Sequence, residues 1–323
     1  MSTPPYPAIA VVGPTASGKT ALGMALARRS GGEIVACDAL QVYRHMDIGT
    51  AKPAQAEREG IPHHMLDLRD PGVDFSAGDY LREGRATLRA IQAHGAVPIV
   101  VGGAGFYLRA LIEGLFEGPG RSEALRSRLR AVVARRGPES IHRLLCRADP
   151  ETAARLAPAD ADRNIRAYEI CLLTGRPMSW WQSRPRDPLQ GFRWLKLGIM
   201  WPRDALYARI NERVEEMVRR GFVEEVRTLL QTYPGDCHAF KAIGYRQIAE
   251  CVRGTCSLED AVAAIQRESR RYAKRQMTWF RSDPEIVWLD GAADPDLMAK
   301  QAALQISSFL QSSPGGTVPD ERL

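Results

Sequence analysis

The 323-residue chain is poor in several things, and each shortage excludes a class. Its six cysteines (Cys37, Cys146, Cys171, Cys237, Cys251 and Cys256) are scattered, and none forms a C-x-x-C pair. A disulfide framework is not expected at that density, and Cys251 with Cys256 supplies only half of a structural zinc site. No apolar run approaches the ~20 residues of a membrane span. Met1 to Pro7 carries no charge, unlike a secretory or transit peptide, so a cytoplasmic protein is expected. No heptad or sustained apolar stripe calls for a partner subunit, and a monomer is expected.

What is present is ordinary in amount and uneven in place. Apolar residues make up 45% and charged residues 25%, as in a globular protein of one large or two modest domains. The net charge of +6 is concentrated in the middle. Residues 1–116 hold eleven bases and eleven acids, residues 117–190 fourteen against nine, and residues 191–323 nineteen against eighteen. A basic middle fits a polyanionic partner, or equally an Arg-rich surface with none.

Ala8 to Val12 is an apolar run without polar alternation, the pattern of a strand buried on both faces. Glu33 to Cys37, Val97 to Val101, Leu195 to Met200 and Ile286 to Leu289 read likewise. Helices are predicted over Ala21 to Arg29 and Phe75 to Ala93. Strand–helix alternation implies an α/β fold: a P-loop NTPase-like parallel sheet flanked by helices, with ligands at the carboxyl ends of its strands. Residues 117–190 show no strand and read as four helices broken by proline turns, an all-helical insertion. The predicted organisation is a core in two parts, 1–116 and 191–311, around that insertion, with a disordered tail at 312–323. Long helices are predicted over 203–233 and 257–281.

Gly13, Pro14, Thr15, Ala16, Ser17, Gly18, Lys19 and Thr20 match G-x-x-x-x-G-K-[ST] between a strand and a helix, the context a phosphate loop requires. Glycines let successive amides turn toward phosphate oxygens, and the helix N-terminus adds its dipole. Lys19 supplies a cation and Thr20 an oxygen suited to Mg²⁺. The loop alone favours a kinase or an ATPase. Asp38 ends the second strand beside it, where a carboxylate can bind Mg²⁺, accept a proton or cap a turn.

On a helical wheel Arg267, Arg270, Arg271, Lys274 and Arg281 share an arc of about 100°. Ala273, Met277 and Phe280 form a separate packing face. A stripe of one sign, unrelieved by acids, favours phosphate contact over a merely solvated face. Trp180 and Trp181 could stack on bases, although packing inside the insertion is the plainer reading.

The chain resembles the tRNA dimethylallyltransferase family. The resemblance rests on the Gly13–Thr20 loop, Asp38-Ala39-Leu40-Gln41-Val42-Tyr43-Arg44, Met46 to Pro53, Val101-Gly102-Gly103, Tyr107, Ala110 to Leu115, Arg209 to Val214, Gly221-Phe222, Lys241 to Gln247 and Tyr272 to Arg281. These motifs run in order along nearly the whole chain. The resemblance implies that the loop holds dimethylallyl diphosphate with Mg²⁺, and that the acceptor is the exocyclic amine of the adenosine 3′ to the anticodon. It implies Asp38 as general base and Arg213, with Lys19, on the diphosphate. It implies that the insertion grips the anticodon stem-loop.

By the same resemblance, contacts to tRNA fall on Asp38, Ala39, Leu40 and Gln41, on Ala104, on Arg126, on Asp162, Arg163, Asn164, Ile165 and Arg166, on Lys241, Ala242, Ile243, Gly244, Tyr245 and Arg246, and on Lys274, Arg275, Gln276, Met277, Thr278, Trp279, Phe280 and Arg281. Two positions depart from the family pattern. Ala39 stands where Ser is common, and Ala104 where Thr usually follows the paired glycines. A lost hydroxyl there implies a slower enzyme, a compensating water, or a relative that binds tRNA without turnover. A P-loop kinase for a small molecule or a nucleotide is the rival reading.

Overall fold

The computed structural model describes residues 4–293 and 295–311. Among them, six strands form one sheet: β1 (Tyr6–Val12), β2 (Glu33–Cys37), β3 (His63–His64), β4 (Pro98–Gly102), β5 (Phe192–Met200) and β6 (Ile286–Asp290). Their order is β3-β2-β4-β1-β5-β6, and every neighbouring pair is parallel. Ile9 of β1 sits level with Ile99 of β4 and Leu195 of β5, and Ala8, Ile9, Ala10 and Val11 are fully buried. Alternation divides the strands between two cores. Ala10, Val12, Val35 and Val100 face one, while Ile9, Val11, Ile34, Ile99 and Leu197 face the other.

Helices connect the strands as parallel pairing demands. They are α1 (Lys19–Ser30), α2 (Ala77–Ala93) and α3 (Gly105–Glu113), then α4 (Glu123–Arg136), α5 (Glu139–Ala148), α6 (Pro150–Arg155), α7 (Ala161–Thr174) and α8 (Met178–Gln182). After β5 come α9 (Arg203–Arg219), α10 (Phe222–Thr232), α11 (Tyr245–Val252), α12 (Leu258–Arg281) and α13 (Pro295–Gln311). Ser76 caps α2, its hydroxyl accepting from the Asp79 amide at 3.2 Å while the Asp79 carboxylate accepts from the Ser76 amide at 3.0 Å. The continuous helix predicted over 203–233 is in fact two, because Gly221 takes φ 97°, a left-handed conformation that ends α9 and caps α10. The predicted tail at 312–323 lies outside the described residues.

The chain divides into two compact units. One combines the chain up to Ile112 with the chain from Leu189 onward and contains the sheet; the other is Glu113–Pro188. The second unit is helical and packs Leu129, Ile141 and Ile165 in one small core and Leu145, Ala153 and Ala167 in another. Its fully buried Glu169 accepts from Arg126, Arg166 and the Ser122 amide, the last at 2.8 Å.

Candidate active site

The loop after β1 has the shape its sequence requires. Gly13 adopts φ 144°, and a Cβ there would stand 2.9 Å from the Ile199 carbonyl. Gly18, at φ 91°, turns the chain into α1. The amides of Lys19 and Thr20 lie in the first helical turn, where no intrahelical acceptor exists. Neighbouring elements hold the loop from several sides. Trp201 Nε1 donates to the Ser17 carbonyl at 3.0 Å, and Arg209 Nε to the Ala16 carbonyl at 2.9 Å. The Thr15 amide donates to Gln276 Oε1, and Gln276 Nε2 donates to the Gly103 carbonyl, both at 2.9 Å. One buried glutamine from α12 thus ties the loop after β1 to the loop after β4.

Lys19 Nζ donates to the Pro14 carbonyl at 2.6 Å and lines a cavity of about 870 Å³. Crowding by protein lowers its pKa to about 7; the Arg213 charge adds to the lowering and Asp38 opposes it. Burial also lowers the Arg213 pKa, and Asp38 again opposes. The three charged groups therefore feel one another within a single cavity.

Asp38 is held asymmetrically. Its Oδ1 accepts from the Leu40 amide at 2.8 Å and the Gln41 amide at 3.3 Å. Among the described residues Oδ2 accepts no hydrogen bond. The side chain therefore caps a turn with one oxygen and keeps the other for the cavity it lines. Cys37, just before it, is inert as a nucleophile: burial pushes its thiol up to about 12. Tyr272 lines the same cavity with its pKa raised, first by burial and then by the Asp38 charge. Val214, Met217 and Phe222 add an apolar wall. A second cavity of about 630 Å³ shares Lys19, Thr20 and Arg213 with the first.

Residues 41–283 match the family model described as IPP transferase. The chain belongs to the IPP transferase family. A tRNA dimethylallyltransferase of Koribacter versatilis is 50% identical over 292 residues, covering 90% of this chain and 95% of that one. One from Solibacter usitatus is 48% identical over 305 residues, covering 94% and 99%. Two solved structures share the fold. The tRNA isopentenylpyrophosphate transferase of Bacillus halodurans superposes with a TM-score of 0.71 at 38% identity, over 95% of this chain and 97% of that one. A eukaryotic dimethylallyltransferase acting on tRNA gives 0.79 at 28% identity, over 97% and 81%.

Apart from the buried Tyr245 and Phe280, the residues implied as RNA contacts fall into three groups. Asp38, Leu40, Gln41, Lys241, Ala242, Ile243, Gly244, Arg275 and Gln276 line the large cavity together with Ala39. Arg246, Lys274, Thr278, Trp279 and Arg281 are exposed, and Ala104 and Met277 partly so. Arg126 and residues 162–166 belong to the other unit.

Several of these side chains face inward. Asn164 is fully buried, bonded to His142 and to the carbonyls of Ala157 and Asp160, and Ile165 sits in the core beside it. Tyr245 is fully buried and donates to Glu225 at 2.7 Å; Phe280 is buried in the same core. Gln276 is occupied by the two loops. Arg126 is engaged by the buried Glu169 at 3.1 Å.

The basic stripe on α12 also needs correction. It is relieved by an acid, since Arg271 pairs with Glu268 at 2.7 Å, and Arg270 donates to Asn211 at 2.6 Å. Glu268 lies about 100° from Arg267, beside the arc and not within it, and reaches Arg271 through i,i+3 spacing. Trp181 donates to Thr174 at 3.1 Å and meets Trp180 edge to face, which is packing within the insertion. Sequence reading missed the bridging role of Gln276 and the props from Trp201 and Arg209. Gln276 and Arg209 lie in recognised motifs, but nothing local in them shows what they touch.

Proposed function

We propose that this chain transfers the dimethylallyl group of dimethylallyl diphosphate to the exocyclic N6 amine of the adenosine 3′ to the anticodon in tRNA, giving N6-isopentenyladenosine. The observation that carries the reading is Asp38, with one oxygen fixed by two amides and the other spare, in the cavity that also holds Lys19 and Arg213. A kinase would need the phosphate nest and could use a carboxylate base, but not the apolar wall of Val214, Met217 and Phe222 in the same cavity.

In this reading N6 attacks the allylic carbon as the bond from that carbon to the diphosphate oxygen breaks. The electron pair leaves with the diphosphate, and the amine proton passes to the spare Asp38 oxygen. Lys19, Arg213 and the loop amides stabilise charge that develops on the leaving group, where preorganised cations act most strongly. Val214, Met217 and Phe222 suit a five-carbon tail.

No trio of His, Cys, Asp or Glu that could hold a metal occurs among the described residues. Magnesium fits nonetheless, because the Thr20 hydroxyl lines the cavity, and Mg²⁺ is commonly held by one protein oxygen with substrate phosphates and water. Bound there, it would neutralise charge on the diphosphate. The basic insertion is assigned to the anticodon stem. Every group named comes from one chain, so a monomer suffices. No helix among the described residues is long and apolar enough to cross a membrane, and we place the reaction in the cytoplasm with its tRNA.

The deciding experiment offers two labels in parallel: dimethylallyl diphosphate with bulk tRNA, and γ-labelled ATP with a metabolite pool. Prenyl label in tRNA is the expected result. γ-Phosphate on a small molecule would establish the kinase, and tRNA binding with neither label moved would establish an inactive relative.

A further inference from the structure

Beside the cavity stands an aromatic corner that the chemistry above does not use. Trp279 of α12 and Phe106 of α3 meet edge to face, with ring centroids 6.4 Å apart and planes at 90°. Both are exposed, Phe106 to 48% and Trp279 to 37%. The Arg109 guanidinium lies over the Trp279 ring at 4.7 Å from its centroid, and 5.9 Å from that of Phe106. Arg109 has no carboxylate partner among the described residues.

The backbone has been cleared to admit this corner. A Cβ on Gly105 would stand 2.2 Å from Trp279 Cδ1 and 2.3 Å from Nε1, so the indole edge occupies the space a side chain would fill. Trp279 follows Gln276 by one helical turn, and Gly105 follows Gly103 by two residues. Gln276 and Gly103 line the cavity and are bonded to each other. The corner is therefore continuous with the lip of the cavity. Exposed Lys274, Arg275, Thr278 and Arg281 share its helix.

Large exposed aromatic rings are costly to leave in water, and Trp with Arg is the pair enriched where a surface is meant to be covered. A flat, π-faced, electron-rich occupant with a negative backbone matches every component. It stacks on Phe106, abuts Trp279 and places its phosphate near Arg109, with Arg275 one turn before Trp279 on the same side of the helix. We propose that Phe106, Trp279 and Arg109 form a stacking platform for one nucleobase next to the modified adenosine, held out of the loop stack while the adenosine enters the cavity. The occupant is a base of the RNA substrate, so the inference rests on the tRNA reading. Phe106 and Arg109 are then positioning residues: they act through the RNA and touch no reacting atom.

Base stacking on an aromatic side chain corresponds to a loss of roughly 5- to 100-fold in affinity on removal. The test compares the wild-type chain with Phe106→Ala and Phe106→Tyr, since Phe106 is half exposed and its loss spares the fold. Affinity for an anticodon stem-loop is read by 2-aminopurine placed in turn on either side of the target adenosine. The expected result is a fluorescence change at one neighbouring position only. It weakens with RNA affinity in Phe106→Ala, returns in Phe106→Tyr, and leaves KM for the prenyl diphosphate unaltered.

A stem-loop abasic at that position should cost the wild-type chain the same factor and cost Phe106→Ala little more. Equal affinity of the wild-type chain and Phe106→Ala, or strictly additive losses in this cycle, would overturn the platform. Failure of prenyl transfer by a wild-type chain that still shows the position-specific signal would refute the proposed reaction and leave the platform standing.

Discussion

Asp38 illustrates how one residue can be fixed and free at once. A carboxylate accepting two amides through a single oxygen cannot rotate without losing both bonds, so its second oxygen is aimed by the turn it caps. Lys19 beside it is a cation held near its titration point. Crowding by protein lowers its pKa to about 7, which brings its proton within reach of neutral pH. A bound diphosphate favours the charged form, so binding above that pH must take up a proton. Pyrophosphate affinity should therefore fall with rising pH above 7 in the wild-type chain relative to Lys19→Arg, by up to about tenfold per unit. Calorimetry in buffers of different ionisation enthalpy should register more proton uptake in the wild-type chain than in Lys19→Arg; equal uptake in the two would refute the assignment. Ala104 stands where the family resemblance implies a threonine hydroxyl, and its amide donates to the Cys37 carbonyl at 3.2 Å. If the missing bond acts in the transition state, Ala104→Thr should raise kcat by roughly ten- to a hundredfold. An unchanged kcat would show that the site has another donor.

At the scale of elements, the site depends on helices that sequence proximity does not connect. Gln276 reaches across 261 positions to Thr15. Gln276→Ala should leave the Thr15 amide without its partner, at about 1–3 kcal/mol, and the Gly103 carbonyl with only the Gly105 amide at 3.1 Å, and so lower the melting temperature. Equal melting temperatures would mean that water replaces the amide. In the insertion, Glu169→Ala should cost about 3–5 kcal/mol in denaturant unfolding, because Arg126 and Arg166 lose a fully buried partner. Arg126→Ala should then weaken the insertion as well as any RNA contact, and stability must be measured beside affinity. These links explain what was legible. Ala8 to Val12 announced a central strand because burial on both faces leaves an unbroken apolar run. His63–His64 gave no such sign, being two polar residues at the sheet edge. The 203–233 pattern stayed helical through Gly221 because apolar periodicity is blind to a single φ of 97°. The nest and Asp38 could be read because each is a local motif; their coupling through Gln276 is tertiary.

For the whole molecule, the parallel sheet brings the ends of β1, β2 and β4 together, and with them the nest, the carboxylate and the paired glycines. Helix α9 adds Arg213, and α12 adds Gln276 and Tyr272. The central claim is that this convergence makes Asp38 a base toward an amine whose attacked carbon carries the diphosphate held by Lys19. The most direct measurement is a single-turnover rate of prenyl transfer to an anticodon stem-loop, with both substrates saturating, for the wild-type chain and Asp38→Asn. Asparagine keeps an oxygen for the Leu40 and Gln41 amides and removes the base. The expected outcome is a rate lower by about a hundred- to ten-thousandfold with RNA affinity retained. A variant that transfers as fast as the wild-type chain, or one that loses RNA binding in proportion to its rate, would contradict it.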